Sequence, residues 1–270
     1  MEFEDIAGRG LALLGCGRMG TALLQGWLDG GLPADAVSVL EPQPSAWLAG
    51  VGVRLNAGLP PAPAVAVVAV KPQIMGDALP QLAPLGGGGT LVLSIAAGTP
   101  LAVFEAALGA GTPVVRAMPN TPAAVGRGIT ALVGNAAAGA DGLALAERLL
   151  AAVGETVRLE AEAQMDAVTA VSGSGPAYVF HLIEALAEAG AAEGLAPDLA
   201  MRLARATVCG AGELAHRSAE NAETLRRNVT SPGGTTAAGL AVLMDPAAGL
   251  TPLMRGTVSA AAARSRELAP

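Results

Sequence analysis

Short, unbroken apolar runs recur along the first half of the chain, each followed by a stretch whose polar and apolar positions fall at helical spacing. Leu11–Leu14 and Val65–Val70, which reads VAVVAV, are the clearest of these runs. Runs without polar alternation suit strands buried on both faces, the mark of a parallel sheet covered by helices. Val37–Leu40, Val51–Leu55 and Leu91–Ile95 extend the series, and Thr21–Leu28 reads as the helix after the first strand. Val114–Ala117, Ile129–Val133 and Thr156–Leu159 are expected to finish the sheet, with Leu143–Val153 as an intervening helix.

From about Glu160 the strand signals stop. Helical stretches follow, among them Ala177–Glu193, Leu199–Ala215 and Leu250–Glu267. The expected organisation is an α/β domain over residues 1–160 and an all-helical domain over residues 161–270. Helices rich in alanine and glycine can approach closely, which suits packing between chains. Met1–Arg9 reads as a loose tail without a role.

Composition narrows the function. The 270 residues are 52% apolar with 36 glycines, so a folded core is expected and disorder is excluded. A net charge of −7 argues against a nucleic-acid partner, which needs a basic face. A mean hydropathy of +0.49 raises the question of a membrane span. The longest charge-free run, between Asp77 and Glu105, carries Pro80, Pro84, Pro100 and the Gly86–Gly89 run, which no spanning helix would choose. Alanine content accounts for the score, and a membrane is not expected. The two cysteines, Cys16 and Cys209, make no disulfide framework, and MEFEDIAGRG has no export-signal pattern. A cytoplasmic protein is the expectation.

Gly15-Cys16-Gly17-Arg18-Met19-Gly20 follows a strand and opens a helix, the context in which GxGxxG signals a dinucleotide. Gly15 permits the tight turn, Gly17 lets the backbone approach a pyrophosphate, and Gly20 allows close helix–strand packing. The helix N-terminus offers N–H groups and a partial positive charge to the phosphates. A tight turn without a ligand is the competing explanation. Glu41 ends the second strand run; an acid there can accept bonds from the adenosine ribose and would repel a 2′-phosphate. Pro42-Gln43-Pro44-Ser45 supplies no arginine for that phosphate, which favours NADH over NADPH unless Glu41 points to solvent.

Fifteen arginines accompany a single lysine, Lys71, in Ala69-Val70-Lys71-Pro72. It stands at the C-terminal end of a buried strand, where ligands of doubly wound sheets bind, although a surface lysine is the plainer alternative. Thr230-Ser231-Pro232-Gly233-Gly234-Thr235-Thr236 precedes the helical run Ala237–Met244. Its N–H groups and hydroxyls could cradle a carboxylate, or simply cap a helix. Ser172-Gly173-Ser174-Gly175-Pro176 is a similar helix start. His181 and His216 have no metal-ligand spacing, and no metal is expected.

Taken together, GCGRMG, AVKP, SIAAG at Ser94–Gly98, RAMPNTP at Arg116–Pro122, SGSGPAYVF at Ser172–Phe180 and SPGGTT at Ser231–Thr236 resemble the pyrroline-5-carboxylate reductase family, in its order and spacing. The resemblance implies a Rossmann-type N-terminal domain and a helical C-terminal domain that forms a homodimer, with family members commonly assembling as five dimers. It implies NADPH or NADH bound by the glycine loop, Asn56, the Ala69–Pro72 segment and Ala96–Ala97, with Asn228 near the nicotinamide. It further implies 1-pyrroline-5-carboxylate as substrate, bound by Ser231, Gly233, Gly234, Thr235 and Thr236 from the partner subunit. The Thr236 hydroxyl would then lie near the ring nitrogen as the catalytic contact. Many members prefer NADPH, so Glu41 departs from the usual preference.

Two rivals are weaker. A hydroxyacid dehydrogenase of similar layout would carry a lysine in its second domain, and none is there. A redox sensor reading NADH through a Rossmann domain needs a nucleic-acid or channel partner, and no basic reading helix is present.

Overall fold

A computed structural model of the chain describes residues 3–268. Two compact units result: the residues through Gly173 together with those from Ala262 onward, and Ser174–Ala261.

The first unit is built on one eight-stranded sheet among the described residues: β1 (Leu11–Leu14), β2 (Val37–Leu40), β3 (Arg54–Leu55), β4 (Val65–Val68), β5 (Leu91–Ser94), β6 (Val114–Met118), β7 (Gly128–Gly134) and β8 (Gly154–Arg158), in the order β3-β2-β1-β4-β5-β6-β7-β8. Its helices are α1 (Glu4–Arg9), α2 (Arg18–Asp29), α3 (Ala46–Gly50), α4 (Met75–Leu82), α5 (Leu101–Leu108), α6 (Gly139–Ala151) and α7 (Met165–Val168). The unbroken apolar runs have a direct physical counterpart. Every residue of β1, β4 and β5 is buried, and alternate residues enter different cores. Leu11, Leu13, Val65, Val67 and Leu93 join Leu23, Trp27 and Leu149 from α2 and α6. Ala12, Leu14, Ala66, Val68 and Val92 join Leu82, Phe104 and Met165 on the opposite face. Trp27, fully buried, donates its indole N–H to the Leu149 carbonyl at 2.8 Å and ties α2 to α6.

Three expectations need correction. The sheet is not parallel throughout, because β7 runs antiparallel to β6. Only a short segment with a 3₁₀ turn at Thr121–Val125 joins them, too short for the helical crossover that parallel neighbours need. The run Val51–Leu55 is strand only at Arg54–Leu55, since Gly52 (φ +92°) turns the chain before it. The N-terminal segment is not a loose tail over its described part. Phe3 and Ile6 are buried in the core beside Trp27, Arg148 pairs with Asp5 at 2.5 Å, and Arg9 donates to the Pro63 carbonyl at 3.0 Å. Met1 and Glu2 lie outside the described residues. Residues beyond Glu160 also pack on this unit. Glu162 accepts from Arg116 at 2.7 Å and from the Leu101 N–H at 2.9 Å, and Met165 is buried among core residues. Ser265 then donates to Asp166 at 2.6 Å.

The second unit holds α8 (Gly175–Ala192), α9 (Pro197–Arg217), α10 (Ala222–Asn228), α11 (Thr235–Leu243) and most of α12 (Leu250–Leu268). A π-helical turn, Thr169–Gly173, precedes it. Small residues let α8 and α9 pack closely: Ala187, Ala200 and Ala204 are buried between them. A Cβ on Gly190 would stand 3.4 Å from that of Ala200. No described helix is long and apolar enough to cross a membrane.

Candidate cofactor cleft and anion cradle

The strand order reverses between β1 and β4, and the cleft opens beyond the C-terminal ends of β1, β2 and β4, where such folds bind ligands. Its volume is about 1330 Å³. Gly15, Cys16, Gly17, Arg18 and Met19 form one wall, Glu41 and Asn56 a second, and Ala69, Val70 and Lys71 a third.

The three loop glycines do different work. Gly15 takes φ +84°, and a Cβ there would meet the Ala69 carbonyl oxygen at 2.8 Å. Gly20 is buried under the loop, where a Cβ would stand 2.7 Å from the Gly15 oxygen. Gly17 is exposed, and a Cβ there would meet nothing within 4 Å. That open space is where a ligand's phosphates would come against the backbone. Gly17 is also the N-cap of α2 and offers no side chain to the first-turn N–H groups, which are left for an anion. A dinucleotide therefore fits this wall.

Glu41 points into the cleft rather than to solvent. Its Oε2 accepts from the Cys16 N–H at 2.7 Å and its Oε1 from the Gln43 N–H at 3.0 Å. A carboxylate has about four acceptor positions, so capacity remains for hydroxyl donors. Burial pushes the Cys16 thiol above its ordinary value; the Thr21 hydroxyl opposes this, and the Glu41 charge adds to it. That thiol stays protonated and apolar in character at the cleft wall. Asn56 follows β3 directly with φ +52° and bonds to Glu41 rather than standing apart from it.

Lys71 is exposed and lines the cleft with Arg18 as its cations. Pro72 begins a 3₁₀ turn, and Ala96 and Ala97 follow β5; these three and Gly20 are not part of the cleft lining. Sequence reasoning missed Asp77 and Gln81 of α4, as well as Thr121 and Ala124 of the β6–β7 connection, all of which line it. Thr121 lies inside the RAMPNTP motif, the one signal that could have found it.

In the helical unit, the loop before α11 makes a tight turn into a helix start that no side chain caps. Gly233 takes φ +70°, the Gly234 N–H returns to the Ser231 carbonyl at 3.1 Å, and Gly234 caps α11 with no side-chain bond to its first turn. A Cβ on Gly234 would fall 2.5 Å from the Ser231 hydroxyl oxygen and 3.2 Å from its carbonyl oxygen, so the serine side chain would have to turn away. Thr235 and Thr236 are exposed at the helix start. Asn228, the last residue of α10, is held by Glu220 at 3.0 Å, and the Thr230 hydroxyl closes that helix on the Arg226 carbonyl at 2.6 Å.

Comparison with known proteins agrees with both halves. A family model described as pyrroline-5-carboxylate reductase dimerisation matches residues 162–268, and one described as NADP oxidoreductase, coenzyme F420-dependent, matches residues 10–98. Pyrroline-5-carboxylate reductase of Pseudomonas aeruginosa is 43% identical over 265 residues, covering 96% of each chain. That of Methanosarcina acetivorans is 37% identical over 265 residues, covering 96% of this chain and 97% of the relative. The solved pyrroline-5-carboxylate reductase of Coxiella burnetii superposes with a TM-score of 0.91 at 33% identity, over 97% of this chain and 99% of that one. The Plasmodium falciparum pyrroline carboxylate reductase, crystallised with NADP bound, gives 0.83 at 28% identity, over 98% of this chain and 100% of that one.

Proposed function

The chain belongs to the pyrroline-5-carboxylate reductase family, oxidoreductases that use NAD(P)H to reduce a C=N bond, and from that membership we propose how its own residues divide the work. The α/β unit binds the cofactor, with NADH preferred to NADPH, and the loop Ser231–Thr236 binds 1-pyrroline-5-carboxylate. When bound, the reduced nicotinamide supplies a hydride to the imine carbon. The imine nitrogen carries a proton, so that carbon is already electrophilic and the product is L-proline. No strong acid is then required of the protein, whose task is positioning.

The observation that carries the substrate assignment is the uncapped start of α11 beside Gly233 and Gly234. The substrate carboxylate rests on the backbone of Gly234–Thr236, where the N–H groups of Thr235 and Thr236 begin the helix, with Ser231 beside it, and the Thr236 hydroxyl orients the ring nitrogen. At the cofactor, first-turn N–H groups of α2 hold the pyrophosphate with Arg18 and Lys71 nearby, and Asn228 serves the nicotinamide end.

The cofactor preference follows from Glu41. Its carboxylate is fixed at the glycine loop, and Pro42, Gln43 and Ser45, which line the cleft beyond it, carry no positive charge. A 2′-phosphate would face that carboxylate without a cation beside it. kcat/KM is expected to be about 3- to 10-fold higher with NADH than with NADPH, a difference of order 1 kcal/mol. An equal or reversed ratio would remove Glu41 from the account.

The helical unit forms a homodimer, and the loop of one protomer serves the cofactor of its partner. What supports this is the unit's poverty of internal core: Phe180 of α8, Val242 of α11 and Leu253 of α12 are each at least 60% exposed. Assembly continues to five dimers, and the protein works in the cytoplasm, where Cys16 and Cys209 stay reduced. Sedimentation velocity is expected to give a dimer or a multiple of it, and a stable active monomer would contradict the assignment.

A further inference from the structure

The geometry points to a second small-molecule site, set back to back with the cofactor cleft, that takes a small apolar α-amino acid as its zwitterion and weakens cofactor binding when filled. A cavity of about 420 Å³, within the range of small-molecule pockets, opens between α2, the end of α6 and the β6–β7 connection. Ala22, Gln25, Gly26 and Asp29 share one face of α2 and form its first wall. Gly26 lets the second wall come close, since a Cβ there would stand 2.9 Å from Val153 Cγ1 and 3.0 Å from the Ala152 carbonyl oxygen. Phe3 and Val153, both buried, make part of the lining apolar.

The charged groups come from the ends of two helices. Asp29 is the last residue of α2 and is exposed, in a last turn that holds no basic residue. An acid there stands against the negative end of the helix dipole, a placement that a bound cation would offset. α6 also ends at this cavity, with Ala151 as its last residue, so its terminal carbonyls add to the same field. Arg148, in the last turn of α6, brings a guanidinium. Asp5 holds one of its nitrogens at 2.5 Å, and a guanidinium has five N–H donors, so capacity for a second carboxylate remains. A dication would be opposed by Arg148 and a dianion by Asp29. A zwitterion satisfies both, with its ammonium to Asp29, its carboxylate to Arg148 and a short apolar side chain against Phe3 and Val153. The link to the cofactor lies in shared walls. Ala22 and Ala124 line both this cavity and the cofactor cleft, while the turn Thr121–Val125 gives Thr121 to the cleft and Val125 to the cavity. A ligand seated behind that turn presses on a segment that forms part of the cleft.

The test titrates L-valine into the full chain without cofactor, then titrates NADH with and without L-valine. L-Valine is the probe because L-proline, as the product, would also occupy the catalytic site. L-Valine is expected to bind with a Kd of about 1 mM. It is expected to raise the Kd for NADH about 5-fold, and NADH to raise that for L-valine by the same factor. Arg148→Gln and Asp29→Asn should each weaken L-valine about 10-fold and leave the affinity for NADH alone unchanged. Asp5→Asn breaks the ion pair but keeps the guanidinium, and it should bind L-valine at least as well as the parent. That variant separates loss of the ligand contact from loosening of α1. No binding of L-valine, or binding that survives both cavity substitutions, overturns the site. An NADH affinity indifferent to bound L-valine overturns the coupling. The coupling rests on the cleft being the cofactor site; should NADH fail to bind, that reading falls and the coupling with it, while the L-valine titration still decides the cavity.

Discussion

Thr236→Ala is expected to lower turnover by about 10- to 100-fold with a smaller change in the KM for 1-pyrroline-5-carboxylate. The reason is a division of labour at the start of α11. The substrate carboxylate is held by backbone N–H groups, which the substitution leaves in place because Gly234, not Thr236, caps the helix. The hydroxyl, by contrast, meets the ring nitrogen, whose bonding changes as the imine becomes an amine. An interaction that strengthens along that path contributes to kcat rather than to ground-state binding. Thr236→Ser, which keeps the hydroxyl, should recover most of the loss. Unchanged kinetics in the alanine variant would remove Thr236 from the mechanism.

The second large effect separates two glycines of one loop. Gly15→Ala should destabilise the protein by about 2–4 kcal/mol, because strain at positive φ adds to overpacking. The new methyl would face the Ala69 carbonyl oxygen at 2.8 Å and its carbon at 3.0 Å, both backbone atoms of the neighbouring strand end. Gly17→Ala meets nothing within 4 Å and sits at φ −68°, so its stability should stay within about 0.5 kcal/mol of the parent. It should nevertheless raise the KM for the cofactor about 10-fold, since the methyl enters the space left for phosphates. Urea midpoints and cofactor titrations on the two variants read these outcomes separately. Equal destabilisation by both would mean that the loop is only a turn.

Much of this division was legible in the residues. The glycine loop, the buried strands and the long helices follow from period and spacing, because each is decided by neighbours close in sequence. What escaped was decided at long range. The helix α1 was hidden because six residues with two acids look solvated, and only the pocket beside Trp27 makes Phe3 and Ile6 core. α4 was masked by Pro80, which the helix carries inside it, and α5 by apolar residues that give no clear polar face. The bond from the Cys16 N–H to Glu41 joins residues 25 apart, and the two bonds between Asn56 and Glu41 join residues 15 apart. Spacing could nominate Glu41, but only the fold places its carboxylate at the loop.

The most direct test of the account follows the loss of reduced-nicotinamide absorbance when 1-pyrroline-5-carboxylate is added to the protein, with NADH and NADPH in parallel and the product identified. Substrate-dependent oxidation that yields L-proline, faster with NADH, is the predicted result. Folded protein that binds both cofactors yet oxidises neither in the presence of this imine would contradict it.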